Sequence, residues 1–108
     1  MKEVMLNALV ALMNDAALYR TGYTVEHWRP EVADERKKND KSRSVFAHKT
    51  ISFHHQDTER GKLLLDGHWI KTDNIITISI EADCNKENWF FAVVHMRTGA
   101  VYEIGTWR

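Results

Sequence analysis

Residues 89–96 read Trp-Phe-Phe-Ala-Val-Val-His-Met, and this run decides the fold. A strand with one face in the core and the other in water alternates apolar and polar residues, whereas this run is apolar at nearly every position. We therefore expect a strand whose two faces are both covered. An N-terminal helix can cover one face, and a chain of 108 residues has little left to cover the other, which favours a partner.

Apolar residues recur at spacings of three and four from about Lys2 to Tyr19, which predicts an amphipathic helix. Two adjoining rows form its expected buried stripe: Met5, Leu9, Leu12, Ala16 and Tyr19, and beside them Leu6, Val10, Met13 and Ala17. Gly22 is placed to end the helix in a left-handed conformation. Because Asn7 interrupts the apolar run and Asn14 ends it, we expect neither a membrane span nor a cleaved signal.

The period of the apolar residues changes to two in the second half of the chain, which predicts antiparallel strands. The stretch from Val45 to His55 is interpreted as a half-buried strand. Its expected inward-facing residues are Val45, Ala47, Ile51 and Phe53. The Asp66-Gly67 pair favours either a tight hairpin joining Leu63 to Ile70 or a bulge within one longer strand. Residues 76–81 alternate most cleanly, with isoleucine on one face.

Together these patterns predict an α+β fold, with one N-terminal amphipathic helix packed on a four- to five-stranded antiparallel meander sheet. Residues 1–108 fit a single domain of ordinary size, since 44% of them are hydrophobic and 28% are charged. Residues 34–43 contain no apolar side chain. They are therefore interpreted as a mobile, charged connection within this domain.

The last two strands flank Thr98-Gly99, a pair suited to a two-residue turn that would place Arg97 opposite Ala100. Counting outward from this turn puts four residues on the face assigned to the core: Phe91, Val93, Ile104 and Tyr102. The other face contains Glu103, whose carboxylate would be costly to bury in the middle of a core. That face is predicted to be partly exposed and to bind a partner through Phe90, Val94, Met96, Val101, Glu103 and Trp107.

Aromatic and methionine side chains around one charge are typical of a protein-binding surface. The leading hypothesis is therefore a small non-enzymatic interaction protein, an accessory factor or inhibitor, that docks on a partner protein or pairs with itself. Alternatively, the sheet curls and residues 23–43 fold back over this face, which then belongs to the core. Mutation of Phe90 would separate the two, because only the first interpretation predicts lost association.

The charge balance limits the partners of the chain. Fifteen basic and fifteen acidic residues give a formal net charge of zero, so no strong field gathers polyanions or acidic lipid from a distance. The single cysteine, Cys84, cannot form an internal disulfide, which suits the cytoplasm. We expect a cytoplasmic protein without a membrane partner.

A second hypothesis is single-stranded nucleic-acid binding, in which exposed Trp28, Trp69 or Trp107 stack on bases. Phosphates would then meet the basic residues of the charged connection: Arg36, Lys37, Lys38, Lys41 and Arg43. Acidic residues in the same connection reduce its net charge, so this binding would be local and dependent on salt.

A third hypothesis is a small hydrolase or nuclease that uses His54, His55 or His68 as general acid and base. No nucleophile elbow or phosphate-binding loop occurs, so no catalytic residue is assigned. The six histidines match no recurrent zinc spacing, and His48 lies about 20 Å from His54 along an extended strand. The sequence therefore predicts no metal ion or other cofactor.

Overall fold

A computed structural model of the chain describes residues 2–19, 22–30, 48–56, 61–82 and 90–106. The described part contains one long helix, α1 (Lys2–Tyr19), and a short 3-10 turn at Thr72–Asn74. The strands are β1 (Tyr23–Trp28), β2 (His48–Ser52), β3 (Lys62–Leu65), β4 (His68–Lys71), β5 (Ile75–Ala82), β6 (Phe90–Met96) and β7 (Val101–Thr106).

Five strands form the main sheet in the order β2-β1-β7-β6-β5, and every pair of neighbours is antiparallel. Strands β5, β6 and β7 follow one another as a meander, and β7 then lies against β1, which comes from the other end of the chain. The remaining strands, β3 and β4, form a separate two-stranded hairpin. The predicted α+β class is confirmed.

Helix α1 and the β3–β4 hairpin cover the same face of the main sheet. The helix packs mainly on β5 and also on β1. Its buried residues come from both predicted rows, Leu9 and Ala16 from the first and Met13 from the second, so the expected stripe is confirmed. The hairpin adds Leu63 and Leu65, which are fully buried in the same core.

The hairpin also decides between the two interpretations of Asp66-Gly67. These residues form a two-residue turn, since Leu65 pairs with His68. Their φ angles of 52° and 77° are left-handed, as a type I′ turn requires, and Asp and Gly are among the residues that adopt such angles at low cost. The sequence signal for a tight hairpin is therefore confirmed.

The predicted pairing of Arg97 with Ala100 is wrong. Met96 donates its N–H to Ala100 O at 2.9 Å, and Gly99 donates to Met96 O at 3.0 Å, so the loop has three residues. Gly99 takes a left-handed φ of 95°, which is typical of the last position of a three-residue hairpin loop. Because of this shift of one residue, the β7 residues expected to share a face with Val93 share a face with Val94 instead.

The assignment of faces to core and surface is consequently wrong for β6. Phe90, Val94 and Met96 are at most 7% exposed and pack in the main core, where Tyr102 and Ile104 lie opposite their strand. Phe91 and Val93 are half-buried on the reverse face. The layer of the helix and hairpin therefore covers the three β6 residues that were expected to bind a partner.

The reverse face of the sheet also has a buried centre. Trp28 is fully buried there and packs with Val101 and the half-buried Val93. Glu103, opposite Val93 and Glu26 in the neighbouring strands, is only 2% exposed. The apolar character of β6 on both sides is therefore matched by burial on both sides at the middle of the sheet.

Strand β2 differs from its prediction as well. It ends at Ser52 and not at His55, and the expected residues 45–47 lie outside the described part. Ile51 and Phe53, which were expected to face the core, are 61% and 59% exposed. The prediction for these two residues is wrong because Ile51 pairs with Thr24, so it lies on the reverse face, whereas the helix and hairpin cover the face of Tyr23 and Val25. On the reverse face of this outer strand, alternation alone does not produce burial.

Candidate functional site

The outermost strand β5 forms one wall of an elongated groove. Its only neighbour among the described strands is β6, so within the described ranges no strand lies against the opposite edge of β5. The groove has a volume of about 440 Å³ and is lined by Lys2 and Met5 of α1 and by residues 76–80. Successive side chains of a strand point to opposite faces. A groove lined by five consecutive residues therefore runs along the backbone edge itself.

The side chains along this edge are uncharged. Residues 75–80 read Ile-Ile-Thr-Ile-Ser-Ile and contain no proline. Ile76 is 53% exposed at a register shift between Ile75 and Thr77. Open edges of natural sheets are usually protected by charges, proline or short length. From residue 75 to residue 80, the register shift is the only such device that β5 has.

Lys2 limits one end of the groove. Its ammonium group donates hydrogen bonds to Ile75 O at 3.1 Å and to Thr72 O at 3.4 Å. The helix thereby ties its first turn to the start of β5 and adds a positive charge beside the open edge. Glu81 is an exposed acidic residue near the other end of the strand. The edge thus has opposite charges at its two ends and none between them.

A second cluster joins the hairpin turn to the sheet. His27 Nδ1 lies 3.3 Å from Asp66 Oδ2, and the imidazole ring stacks on the Tyr102 ring with centroids 4.4 Å apart. Burial, and secondarily the Asp66 carboxylate, raises the pKa of Tyr102 above its ordinary value. The Asp66 side chain is only 3% exposed. This geometry fits a contact that fixes the hairpin better than a site open to substrate.

The outer face of the hairpin contains an exposed aromatic residue beside a pair of lysines. Trp69 is 54% exposed, and the His54 ring meets it edge-on at 5.8 Å. The exposed residues Lys62 and Lys71 are directly paired across the two strands, and Trp69 lies on the same side of the hairpin. A two-residue turn at Asp66-Gly67 fixes the pairing of Lys62 with Lys71, so this pairing can be derived from the sequence alone. The signal was therefore present, although these lysines were not assigned to a site.

The structure separates the residues of the predicted protein-binding face. Phe90, Val94 and Met96 belong to the main core, whereas Val101 and Glu103 lie on the reverse face. All five are buried, and Trp107 lies outside the described residues. The expectation of one shared, partly exposed face is wrong, for the reason of register given above.

The residues of the other two hypotheses are also dispersed. Trp28 is fully buried, so its predicted exposure is wrong and it cannot stack on a base. The basic residues 36–43 and Cys84 lie outside the described part. His54, His55 and His68 are exposed. Within the described ranges, no three histidine, cysteine, aspartate or glutamate side chains are grouped closely enough to hold a metal ion.

No helix in the described part of the chain combines the length and the apolar character needed to cross a membrane. Comparisons of the chain with protein-family models, with curated proteins and with solved structures find no match.

Proposed function

We propose that this chain is a non-enzymatic interaction protein that pairs with a second copy of itself through the open edge of β5. The observation that supports this proposal is the groove whose wall is formed by five consecutive residues, 76–80. A strand laid in such a groove can form a new backbone ladder, as in other cases of strand addition. This moves the expected self-association from the sheet face to the sheet edge.

The edge is complementary to itself. In an antiparallel pair centred on Ile78, Thr77 lies opposite the partner's Ser79, and Ile78 lies opposite its own equivalent. Hydroxyl pairs and β-branched pairs of this kind stabilise neighbouring strands. No like charges meet between residues 76 and 80, because this stretch carries none. In the same register Glu81 approaches the end of the partner's strand where the ammonium of Lys2 binds Ile75 O.

Two further properties favour a second copy over an unrelated partner. A formal net charge of zero means that two copies do not repel each other at long range. The groove also contains apolar side chains from α1 and β5, including Met5, so pairing would join the two helix layers as well as the two sheets. The single Cys84 suits the reducing cytoplasm as the compartment of such a protein.

Molar mass in solution tests the proposal, and the two edges of the sheet supply a matched pair of variants. Ile76 in β5 and Ile51 in β2 are both exposed isoleucines on outer strands. We expect the wild type to have twice the mass of the 12.6 kDa chain at tens of micromolar. Ile76→Lys should weaken pairing by about tenfold or more, since the apolar burial of Ile76 opposite the partner's Ile80 is lost and a charge takes its place. Ile51→Lys should pair as the wild type does.

Light scattering after size exclusion measures the mass, and circular dichroism verifies that each variant is folded. A wild type that stays monomeric at high protein concentration would refute self-pairing. A dimer that Ile51→Lys and Ile76→Lys weaken equally would refute its location at β5.

A further inference from the structure

The outer face of the β3–β4 hairpin carries exposed aromatic and basic side chains that take no part in the proposed dimer. Leu63 and Leu65 face the core, so the alternate residues of β3 and their partners in β4 face outward. This outward set consists of Lys62, Leu64, Trp69 and Lys71. We propose that this face binds single-stranded nucleic acid, with Trp69 stacking on a base and the two lysines holding phosphate.

The two lysines point to an anionic ligand. Lys62 and Lys71 are direct cross-strand partners, and like charges in such positions destabilise a hairpin. Neither lysine makes an ion pair within the part of the chain that the structure describes. The only acidic residue between them in sequence, Asp66, contacts His27 on the core side. An anion bound between the two ammonium groups would remove their repulsion.

Trp69 restricts the class of anion. Its exposed indole presents a flat apolar surface, and the edge-on contact with His54 limits the orientations of the ring. Trp69 and Lys71 are two residues apart on the same face of β4, a separation of about 6.5 Å along an extended strand. A nucleotide contains an aromatic base and a phosphate at a comparable separation. An aromatic ring beside cations is the usual means of binding single strands.

The single-stranded form is favoured because Trp69 must contact the face of a base while the lysines contact a phosphate. In a duplex the faces of the bases are stacked on each other, so an exposed indole has no base face to contact. The neutral net charge of the chain adds no long-range attraction, so binding depends on this local patch. We therefore expect weak binding that is measurable at low salt and lost as salt is raised.

Fluorescence anisotropy with a labelled oligothymidine of about ten nucleotides tests the site on the full chain. Trp69→Ala should weaken binding by about tenfold, because one stacked base is lost. Phe53→Ala removes another exposed aromatic residue from outside the hairpin and should leave the affinity unchanged. Circular dichroism shows that both variants are folded.

The charge contribution is tested by the double variant Lys62→Gln/Lys71→Gln. Its plot of log affinity against log salt should be less steep by about 1.4, since two phosphate contacts are lost. An oligonucleotide without bases should bind the wild type about tenfold more weakly than oligothymidine does.

Three results would overturn the site: no binding of the wild type at low salt, equal binding by Trp69→Ala, or equal binding of the strand without bases. None of these results bears on pairing through β5, which uses a different strand and different residues.

Discussion

The buried amide of Gln56 gives the most quantitative prediction about the fold. This side chain is 7% exposed and joins three parts of the molecule. Its Nε2 donates to Leu64 O at 2.8 Å and to the Tyr23 hydroxyl at 3.2 Å, while its Oε1 accepts from Leu64 N at 3.0 Å. Its backbone N–H donates to Asn14 Oδ1 on α1. The amide therefore links the hairpin to β1 beside the end of the helix.

Replacement of Gln56 by alanine removes the three side-chain hydrogen bonds and leaves their partners without them. At about 1 kcal/mol for each bond, and more where a buried group stays unsatisfied, we expect a loss of about 3 kcal/mol of unfolding free energy. A domain of this size has a total stability of roughly 5–15 kcal/mol, so the loss is large. The backbone bond to Asn14 is kept in the variant, which confines the effect to the amide.

Urea unfolding followed by circular dichroism measures this loss as a lower midpoint at an unchanged slope. His55→Ala is the matched control, because His55 is the neighbouring residue and is exposed; it should change the stability by less than about 0.5 kcal/mol. A loss below about 1 kcal/mol in Gln56→Ala, or a loss equal to that of the control, would show that the amide does not hold the hairpin in place.

Three further predictions concern the backbone, the register and pH. Gly22→Ala should cost roughly 2–3 kcal/mol, because its φ is 100° and the added Cβ would lie 2.6 Å from Ser52 O; Gly67→Ala, with a φ of 77° and open space around it, should cost only about 1 kcal/mol in the same urea assay. Val94→Ala should destabilise the fold by roughly 2 kcal/mol and Val93→Ala by less, since only Val94 is fully buried. The opposite ranking would contradict the three-residue loop and favour the two-residue loop, which places Val93 in the core. Because the pKa of Tyr102 is raised in the folded state, its contribution to stability is complete below the ordinary tyrosine pKa of about 10 and is lost as pH rises through the higher folded value. The stability of Tyr102→Phe should therefore fall less than that of the wild type above pH 10 in parallel urea titrations, and equal falls would contradict the shift.

Local patterns in the sequence were sufficient wherever one element determined its own geometry. The helix has the predicted bounds, Lys2–Tyr19, because its apolar period is long and Gly22 follows it. The hairpin at Asp66-Gly67 forms because few residue pairs other than these adopt two left-handed conformations in succession. The alternating residues 76–81 likewise lie within β5.

Features that depend on long-range contacts could not be predicted from local sequence patterns. Thr98-Gly99 is compatible with a two-residue or a three-residue loop, and only the hydrogen bonds of Met96 decide between them. The burial of Glu103 in the reverse face depends on its strand lying in the middle of the sheet, between β1 and β6. A periodic pattern does not state which strands are neighbours, so it could not distinguish the outer strand of Ile51 from an inner one.

The composition of residues 75–80 is consistent with the candidate edge site but does not identify it. A run of six uncharged residues, 75–80, is compatible with a central strand and with an unprotected edge. The strand order decides between them, because β5 has no second neighbour in the described sheet. The same order removes the predicted surface around Phe90, which lies beneath the helix and hairpin layer.

Mixing of two charged variants tests the pairing of β5 with itself most directly. Ser79 is exposed on this edge. In the pair centred on Ile78 it lies opposite the partner's Thr77 and diagonally across from its own equivalent, at about 7–8 Å, which long charged side chains can span. Ser79→Lys and Ser79→Glu should each be monomeric alone at a concentration at which the wild type is a dimer, because like charges then meet. An equimolar mixture should regain the dimer mass by light scattering, since opposite charges meet instead. A mixture that stays monomeric, or single variants that pair as well as the wild type, would contradict pairing through this edge.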